Sequence, residues 1–168
     1  MLAIGPASAY ALRQRIASSV GFFWQESFGQ LFPTLAKLEK EGLVSGHQVA
    51  DGKRRRRDYV ITPAGTIALT AWLLEPPAPQ PERNELLLKL FFANPGDVAA
   101  LGSFIDRTKA DAFAQIAVLR GIEVLLLAEF ATDPRLRFWR LTVRYGILGN
   151  EALVQWCGEA RQVVEASK

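Results

Sequence analysis

Ser27-Phe28-Gly29-Gln30-Leu31-Phe32-Pro33-Thr34-Leu35-Ala36-Lys37-Leu38-Glu39-Lys40-Glu41-Gly42-Leu43-Val44 is followed by Asp51-Gly52-Lys53-Arg54-Arg55-Arg56-Arg57. In the first stretch Leu31, Leu35 and Leu38 recur at helical spacing, Ser27 can cap the amino end, and Gly42 supplies a stop. Proline in a helix interior costs about 3 kcal/mol, a penalty that falls away in the first turn, where the amide has no helical partner. Pro33 therefore predicts regular helix beginning at Gly29 or Gln30, a helix from about Phe28, and a turn over Gly21 to Ser27. Phe22, Phe23, Trp24, Phe28 and Phe32 then read as core and turn anchors. The second stretch opens on Asp-Gly between two strand-capable runs, Leu43 to Val49 and Arg54 to Ile61, which is a tight hairpin signal.

The flanks extend this pattern. Upstream, Ser8 can cap a helix from about Ala9 to Ser18 with Tyr10, Leu12, Ile16 and Val20 on its apolar side, closed by Gly21. Downstream, Thr62-Pro63 reads as cap and first residue of a helix through Ile67, Ala68, Ala71, Trp72 and Leu74. Helix, helix, hairpin, helix is the order of a winged helix-turn-helix.

The string Pro76-Pro77-Ala78-Pro79-Gln80-Pro81 interrupts helix and sheet alike and reads as a linker. It divides residues 1–75, a winged-helix domain, from residues 82–168, where helical periodicity runs almost throughout. Glu85 to Phe92 forms a short apolar helix stopped at Asn94-Pro95-Gly96. Leu101, Ile105, Thr108, Ala112, Gln115, Leu119, Ile122 and Leu126 mark a long helix from Asp97 to about Glu129. After Thr132-Asp133-Pro134, a second long helix carries Leu136, Trp139, Val143, Ile147, Asn150, Val154 and Cys157 in the same rhythm. Two such helices pack antiparallel and leave apolar surface, including Trp139, Leu148 and Trp156, for a partner. The predicted class is mainly α with a small β-wing: a winged helix-turn-helix domain plus an α-helical dimerisation domain.

The 168 residues are 49% hydrophobic and 22% charged, the composition of an ordinary globular chain. The net charge of +3 lies wholly in residues 1–75, with nine Lys or Arg against six Asp or Glu; beyond them the signs balance at eleven each. Five of those nine cations are consecutive, so the excess is one focused spot. A single cysteine and a single histidine exclude a disulfide framework and a Cys/His zinc quartet. A Cys-His or Ser-His catalytic pair would need His47, which sits beside Gly46 in the basic, turn-rich stretch and reads as an ordinary wing residue. Glu39 and Glu41 do not face each other on a helix. The chain reads as a non-enzyme with no cofactor and no metal. Met1-Leu2-Ala3-Ile4 is too short and lacks a basic residue for an export signal. The apolar run Val124 to Ala128 falls far below the roughly 18–20 residues of a membrane span, so a cytoplasmic protein with no membrane contact is expected.

A winged helix places its second helix in the major groove and its wing over the backbone or an adjacent minor groove. The expected contacts to double-stranded DNA are Ser27, Gln30, Thr34 and Lys37 on the reading helix and Lys53, Arg54, Arg55, Arg56 and Arg57 on the wing. Strand alternation sends every second arginine to one face. The rival reading is a non-enzymatic protein-interaction module in which the arginines merely solubilise the wing. Trp139, Tyr145 and Trp156 are candidates for stacking a small aromatic effector. Arg135, Arg137, Arg140 and Arg144 read as a solvated, salt-bridged helix face, and Cys157 as an inert thiol on the apolar stripe.

The stretch Phe23 to Val44 resembles the signature of the PadR-like transcriptional regulators, a Ser-x-Gly-x-[Leu/Ile]-[Tyr/Phe]-Pro-x-Leu-x-x-Leu-Glu-x-x-Gly-Leu pattern over the reading helix. Gly5-Pro6-Ala7-Ser8-Ala9-Tyr10 resembles that family's lead-in, with Ala9 where glycine is frequent. Arg57 to Gly65 resembles its second wing strand and following helix. The resemblance implies a homodimeric DNA-binding regulator, usually a repressor, joined through carboxy-terminal helices and relieved by a small aromatic or amphipathic effector. It also implies that the family's first helix is truncated here, leaving Leu12, Ile16 and Leu35 short of cover.

Overall fold

The computed structural model describes residues 1–24, 28–51, 54–79 and 83–167. The chain divides into two units, Met1–Pro79 and Gln80–Lys168. In the first, the two-residue strand β1 (Ala7–Ser8) runs directly into α1 (Ala9–Ser19). Ser8 caps the helix, its hydroxyl accepting from the Ala11 amide at 3.2 Å. The Arg15 guanidinium reaches back from α1 and donates to the carbonyls of Gly5 at 2.9 Å and Pro6 at 3.1 Å, fixing the lead-in against its own helix.

A 3-10 turn over Phe28–Gln30 feeds α2 (Leu31–Lys40). Pro33 is thus in the first turn of α2, where its missing amide removes no helical hydrogen bond. Gly42, at φ 71°, ends the helix in the left-handed region, with Gly42 N donating to Glu39 O and Leu43 N to Leu38 O. That pair of bonds is a Schellman stop, and it needs glycine.

β2 (Val44–Asp51) and β3 (Arg54–Ile61) then pair antiparallel, in register from Val44 opposite Ile61 to Asp51 opposite Arg54. β1 pairs with the other edge of β3, Ala7 opposite Tyr59, giving the order β1-β3-β2. A third strand was not expected, since two residues carry no alternation to detect. Thr62 starts α3 (Pro63–Leu73): its hydroxyl accepts from Gly65 N at 3.0 Å and donates to Gly42 O at 2.7 Å. Gly65 is buried because α3 rides on the backbone of Leu43; a Cβ there would overlap the Leu43 carbonyl oxygen.

Ala7, Ala9, Leu12 and Leu35 form the core of this unit, with Met1, Leu2, Leu31 and Tyr59 packed on it. Leu12 and Leu35 are each only 3% exposed, so the expected lack of cover does not arise at these two positions: Met1 and Leu2 supply it. An open apolar cleft of about 360 Å³ remains beside them, lined among others by Ile16, Leu31, Leu38, Leu69 and Trp72. Several aromatic anchors are corrected. Tyr10 is exposed, since it lies two residues from Leu12 and so nearly opposite it on the helix. Phe23, Trp24 and Phe32 are exposed as well, while Phe22 is half-buried with its ring edge-on to Phe23.

The second unit contains α4 (Glu85–Phe91), a 3-10 turn at Pro95–Asp97, α5 (Val98–Glu129) and α6 (Leu136–Ala166). Ion pairs Asp106–Arg161, Arg120–Glu151 and Glu123–Arg140 climb one helix while descending the other, which fixes α5 and α6 as antiparallel. The buried stripe of α5 is Val98, Leu101, Ile105, Ala112, Ile116 and Leu119. It replaces the expected Gln115 by Ile116, because 3.6 residues per turn drift off a strict heptad. Opposite lie Val143, Ile147, Cys157 and Val164 of α6. The α5–α6 turn is held by Asp133, which accepts from the Arg135 amide and guanidinium and is thereby depressed to a pKa of about 2. Among the described residues no helix is long and apolar enough to cross a membrane.

Replacing Gly65 by alanine forces α3 off the Leu43 backbone. Urea unfolding should show a loss of about 1–3 kcal/mol, whereas alanine at Gly96, where a Cβ meets nothing within 4 Å, should change stability far less.

Candidate nucleic-acid interface

Three leucines orient α2. With about 100° per residue, the line opposite Leu31, Leu35 and Leu38 carries Pro33, Ala36 and Lys40, continued by Gly29 in the preceding turn. All four are exposed. Gln30 and Lys37 flank one edge of this line and Phe32 the other. Thr34 lies nearer the core stripe and lines the apolar cleft, so it is not on the outward face with Gln30 and Lys37. Lys37 also makes a long, exposed contact of 3.9 Å to Glu41, too solvated to restrain it. Ser27 lies outside the described residues.

Beside α2 stands the hairpin. Gly52 and Lys53 lie outside the described residues; Arg54 and Arg55 open β3 opposite Asp51 and Ala50. Arg56 makes a two-pronged bond to Asp58, at 2.8 and 3.0 Å. Arg57 turns toward the reading helix, its guanidinium 2.6 Å from Glu39 Oε1 and 5.6 Å from the centre of the Tyr59 ring. The same Glu39 oxygen accepts from the Gly46 amide at 2.9 Å. One carboxylate therefore ties α2 to both strands of the hairpin. Gly46 makes room for the arrangement, because a Cβ there would collide with the Arg57 guanidinium and stand 2.9 Å from Glu39 Oε1.

The sequence assigns Arg57 to DNA contact with the other wing cations and weighs Glu39 only against Glu41; the junction of Glu39, Gly46 and Arg57 emerges in the structure. Two signals were present: a glycine inside a strand, which marks close approach of another group, and an acidic residue on the helix beside a basic wing.

The second-unit aromatics do not converge within the chain. Trp139 packs edge-on to Phe130 at 5.3 Å beneath the Arg135 guanidinium. Trp156 packs against the cluster of Val98, Leu101, Ile105 and Cys157. Seventeen residues of one helix separate the two indoles by about 25 Å, at 1.5 Å per residue. Tyr145 between them is 78% exposed. The arginines are mostly engaged: Arg135 with Asp133, Arg140 with Glu123, and Arg137 over the Phe138 ring. Cys157 is buried, which raises its thiol pKa and keeps it protonated. Among the described residues no group of three His, Cys, Asp or Glu is placed to hold a metal ion.

A helix-turn-helix pinned to a basic antiparallel hairpin, on a three-stranded sheet, defines a winged-helix protein. The family model "Transcriptional regulator PadR-like family" matches residues 1–71, and "Virulence activator alpha C-term" matches residues 82–165. The chain belongs to the PadR-like family of transcriptional regulators. It is 29% identical over 173 residues, spanning 96% of this chain and 92% of the relative, to a Mycobacterium tuberculosis protein named "Probable transcriptional regulator Rv1176c". It is 30% identical over 94 residues, 55% of this chain and 52% of the relative, to the "Negative transcriptional regulator PadR" of Bacillus subtilis. Crystal structures of Bacillus subtilis PadR superpose with a TM-score of 0.80 in complex with operator DNA (22% identity, covering 96% and 93% of the two chains). With p-coumaric acid bound the TM-score is 0.73, at 22% identity over 98% and 94%. At that identity the likeness is one of fold.

Glu39→Ala should release both strands from α2. The expected result is a stability loss of about 1 kcal/mol by thermal unfolding, since both partners are partly solvated, with faster exchange of the Gly46 amide. Gly46→Ala should reproduce the faster exchange of hairpin amides by displacing Arg57.

Proposed function

We propose that this protein is a dimeric, sequence-specific regulator of transcription that represses by occupying a duplex operator and is released by a small aromatic effector. The observation that carries the reading is the Glu39 junction, which presents the outward line of α2 and the arginine-bearing hairpin as one surface. A helix seated in the major groove and a cationic ribbon beside it meet the two features of duplex DNA that proteins use, base edges and phosphates. Arg54, Arg55 and Lys53 are assigned to phosphate contact, and Arg57 to holding the hairpin against α2. Gln30 and Lys37 flank the groove-facing line. The operator DNA held by the Bacillus subtilis relative supports this assignment, and that relative's name, a negative regulator, supports repression.

Dimerisation is supported by the surface of the second unit. Leu87, Leu88 and Phe91 of α4 and Phe92 just beyond it are at least half exposed, and so are Val124 and Leu125 of α5 and Leu141 and Tyr145 of α6. Large apolar side chains left open on helices that are otherwise well packed call for cover, and a second copy of these helices would supply it. A twofold pair would set its reading helices against half-sites about one helical turn apart or a multiple of it. The p-coumaric acid of the Bacillus subtilis relative supports an aromatic effector. Because Trp139, Tyr145 and Trp156 are spread along α6, an effector would take at most one of them from each protomer.

Sedimentation equilibrium should give twice the 18.6 kDa chain mass. Affinity for random duplex DNA, measured between 50 and 200 mM salt, should fall with a log-log slope of about −0.9 per phosphate contact, and Lys53→Ala/Arg54→Ala/Arg55→Ala should flatten it by two to three contacts, roughly. A salt-independent affinity, or none, would instead support a protein-interaction module.

A further inference from the structure

The outward line of α2 is chemically odd for a helix that reads bases. Gly29, Pro33 and Ala36 offer no hydrogen-bonding side chain, and Lys40 stands at the far end of the helix. Apart from Lys40 at that far end, the line carries none of the residues that discriminate bases by paired hydrogen bonds, Arg or Lys against guanine and Asn or Gln against adenine. Gln30 sits at one edge only. The other edge carries Phe32, whose ring is 67% exposed and takes no part in the core of Ala7, Ala9, Leu12 and Leu35. An exposed phenyl flanking a row of small residues makes an apolar shelf, and its small side chains let the helix backbone come close to whatever it faces.

Within the major groove the one strongly apolar feature is the C5 methyl of thymine. We propose that Phe32, with Pro33 and Ala36, selects the operator by packing on thymine methyl groups, so that Phe32 is a specificity-determining residue and the half-site carries thymine at the positions beneath it. This rests on the reading of α2 as the major-groove helix. The hairpin supplies the complementary charge: Arg54 and Arg55 are in β3, and β3 is bound to α2 through Arg57 and Glu39. Affinity then comes chiefly from phosphates and selectivity from methyl contacts, with Gln30 and Lys37 free to add polar contacts at the opposite edge.

Deoxyuridine differs from thymidine only by that methyl and keeps every hydrogen-bonding group, so it isolates the contact. Duplexes enriched from a random library by the full-length protein would be resynthesised with each thymine replaced singly by deoxyuridine. The expected result is about a fourfold loss of affinity for each methyl that packs on the shelf, the equivalent of one buried carbon group. Phe32→Ala should lose affinity for the thymine duplex and become indifferent to the substitution at one of those positions, a coupling that general weakening does not produce. Phe32→Leu should restore part of the sensitivity. Because Phe32 is outside the core, thermal unfolding of both variants should match the parent. If the enriched duplexes bind with steep salt dependence yet tolerate deoxyuridine everywhere, or if Phe32→Ala keeps the full sensitivity, the methyl shelf is overturned while DNA binding stands. If no duplex is enriched and random DNA does not bind, the reading of α2 itself falls.

Discussion

Glu39 sits where three elements meet, and the surface proposed to bind DNA depends on it. Its Oε1 accepts from the Gly46 amide on β2 and from the Arg57 guanidinium on β3 while its backbone belongs to the last turn of α2. A two-stranded ribbon is marginal by itself, and a hairpin free to swing could not hold its arginines at a fixed distance from a helix in the adjacent groove. Pinning β2 near its start, at Gly46, and β3 near its middle, at Arg57, to the helix solves that mechanical problem with one carboxylate. The Schellman stop at Gly42 serves the same end, since it turns the chain from α2 into β2 within three residues. Gly65 does too, by letting α3 lie directly on that turn.

Most of the architecture was legible in the sequence because it rests on local rules. Ser8 and Thr62 cap helices, Gly42 ends one, and Pro33 lies in a first turn, as their chemistry requires. The two strand-capable runs pair as a hairpin, in register from Val44 opposite Ile61 to Asp51 opposite Arg54. What escaped was non-local. Strand β1 is two residues long and exists only because β3 offers an edge. Glu39 and Arg57 are 18 residues apart and meet through the packing of a sheet on a helix, so no spacing rule joins them. Strand alternation sorts the five basic residues by face but not by partner; Arg56 and Arg57 turn out to have intramolecular carboxylate partners. Aromatic residues misled most, because a phenylalanine in a turn-rich stretch was read as an anchor, whereas Phe32 is solvent-facing.

The second unit poses a different problem of burial. Its seam between α5 and α6 is well filled, with Ile105, Leu119 and Cys157 wholly enclosed. Yet Phe91 of α4 and Phe92 just beyond it face solvent, and α5 and α6 carry further large apolar side chains outside the seam. Large apolar area left open on long, otherwise well-formed helices is the surface that the proposed homodimer would cover. The balance of charge over residues 76–168 fits that role, since a neutral body can approach its own copy without repulsion.

Amide hydrogen exchange with and without duplex DNA tests the central claim most directly, because it reports every backbone segment at once. The account predicts added protection in peptides covering residues 28–40 and 44–61 and little change across α5 and α6, diminishing as salt is raised. Protection confined to the carboxy-terminal helices, or a hairpin whose exchange is unaltered at saturating DNA, would contradict it.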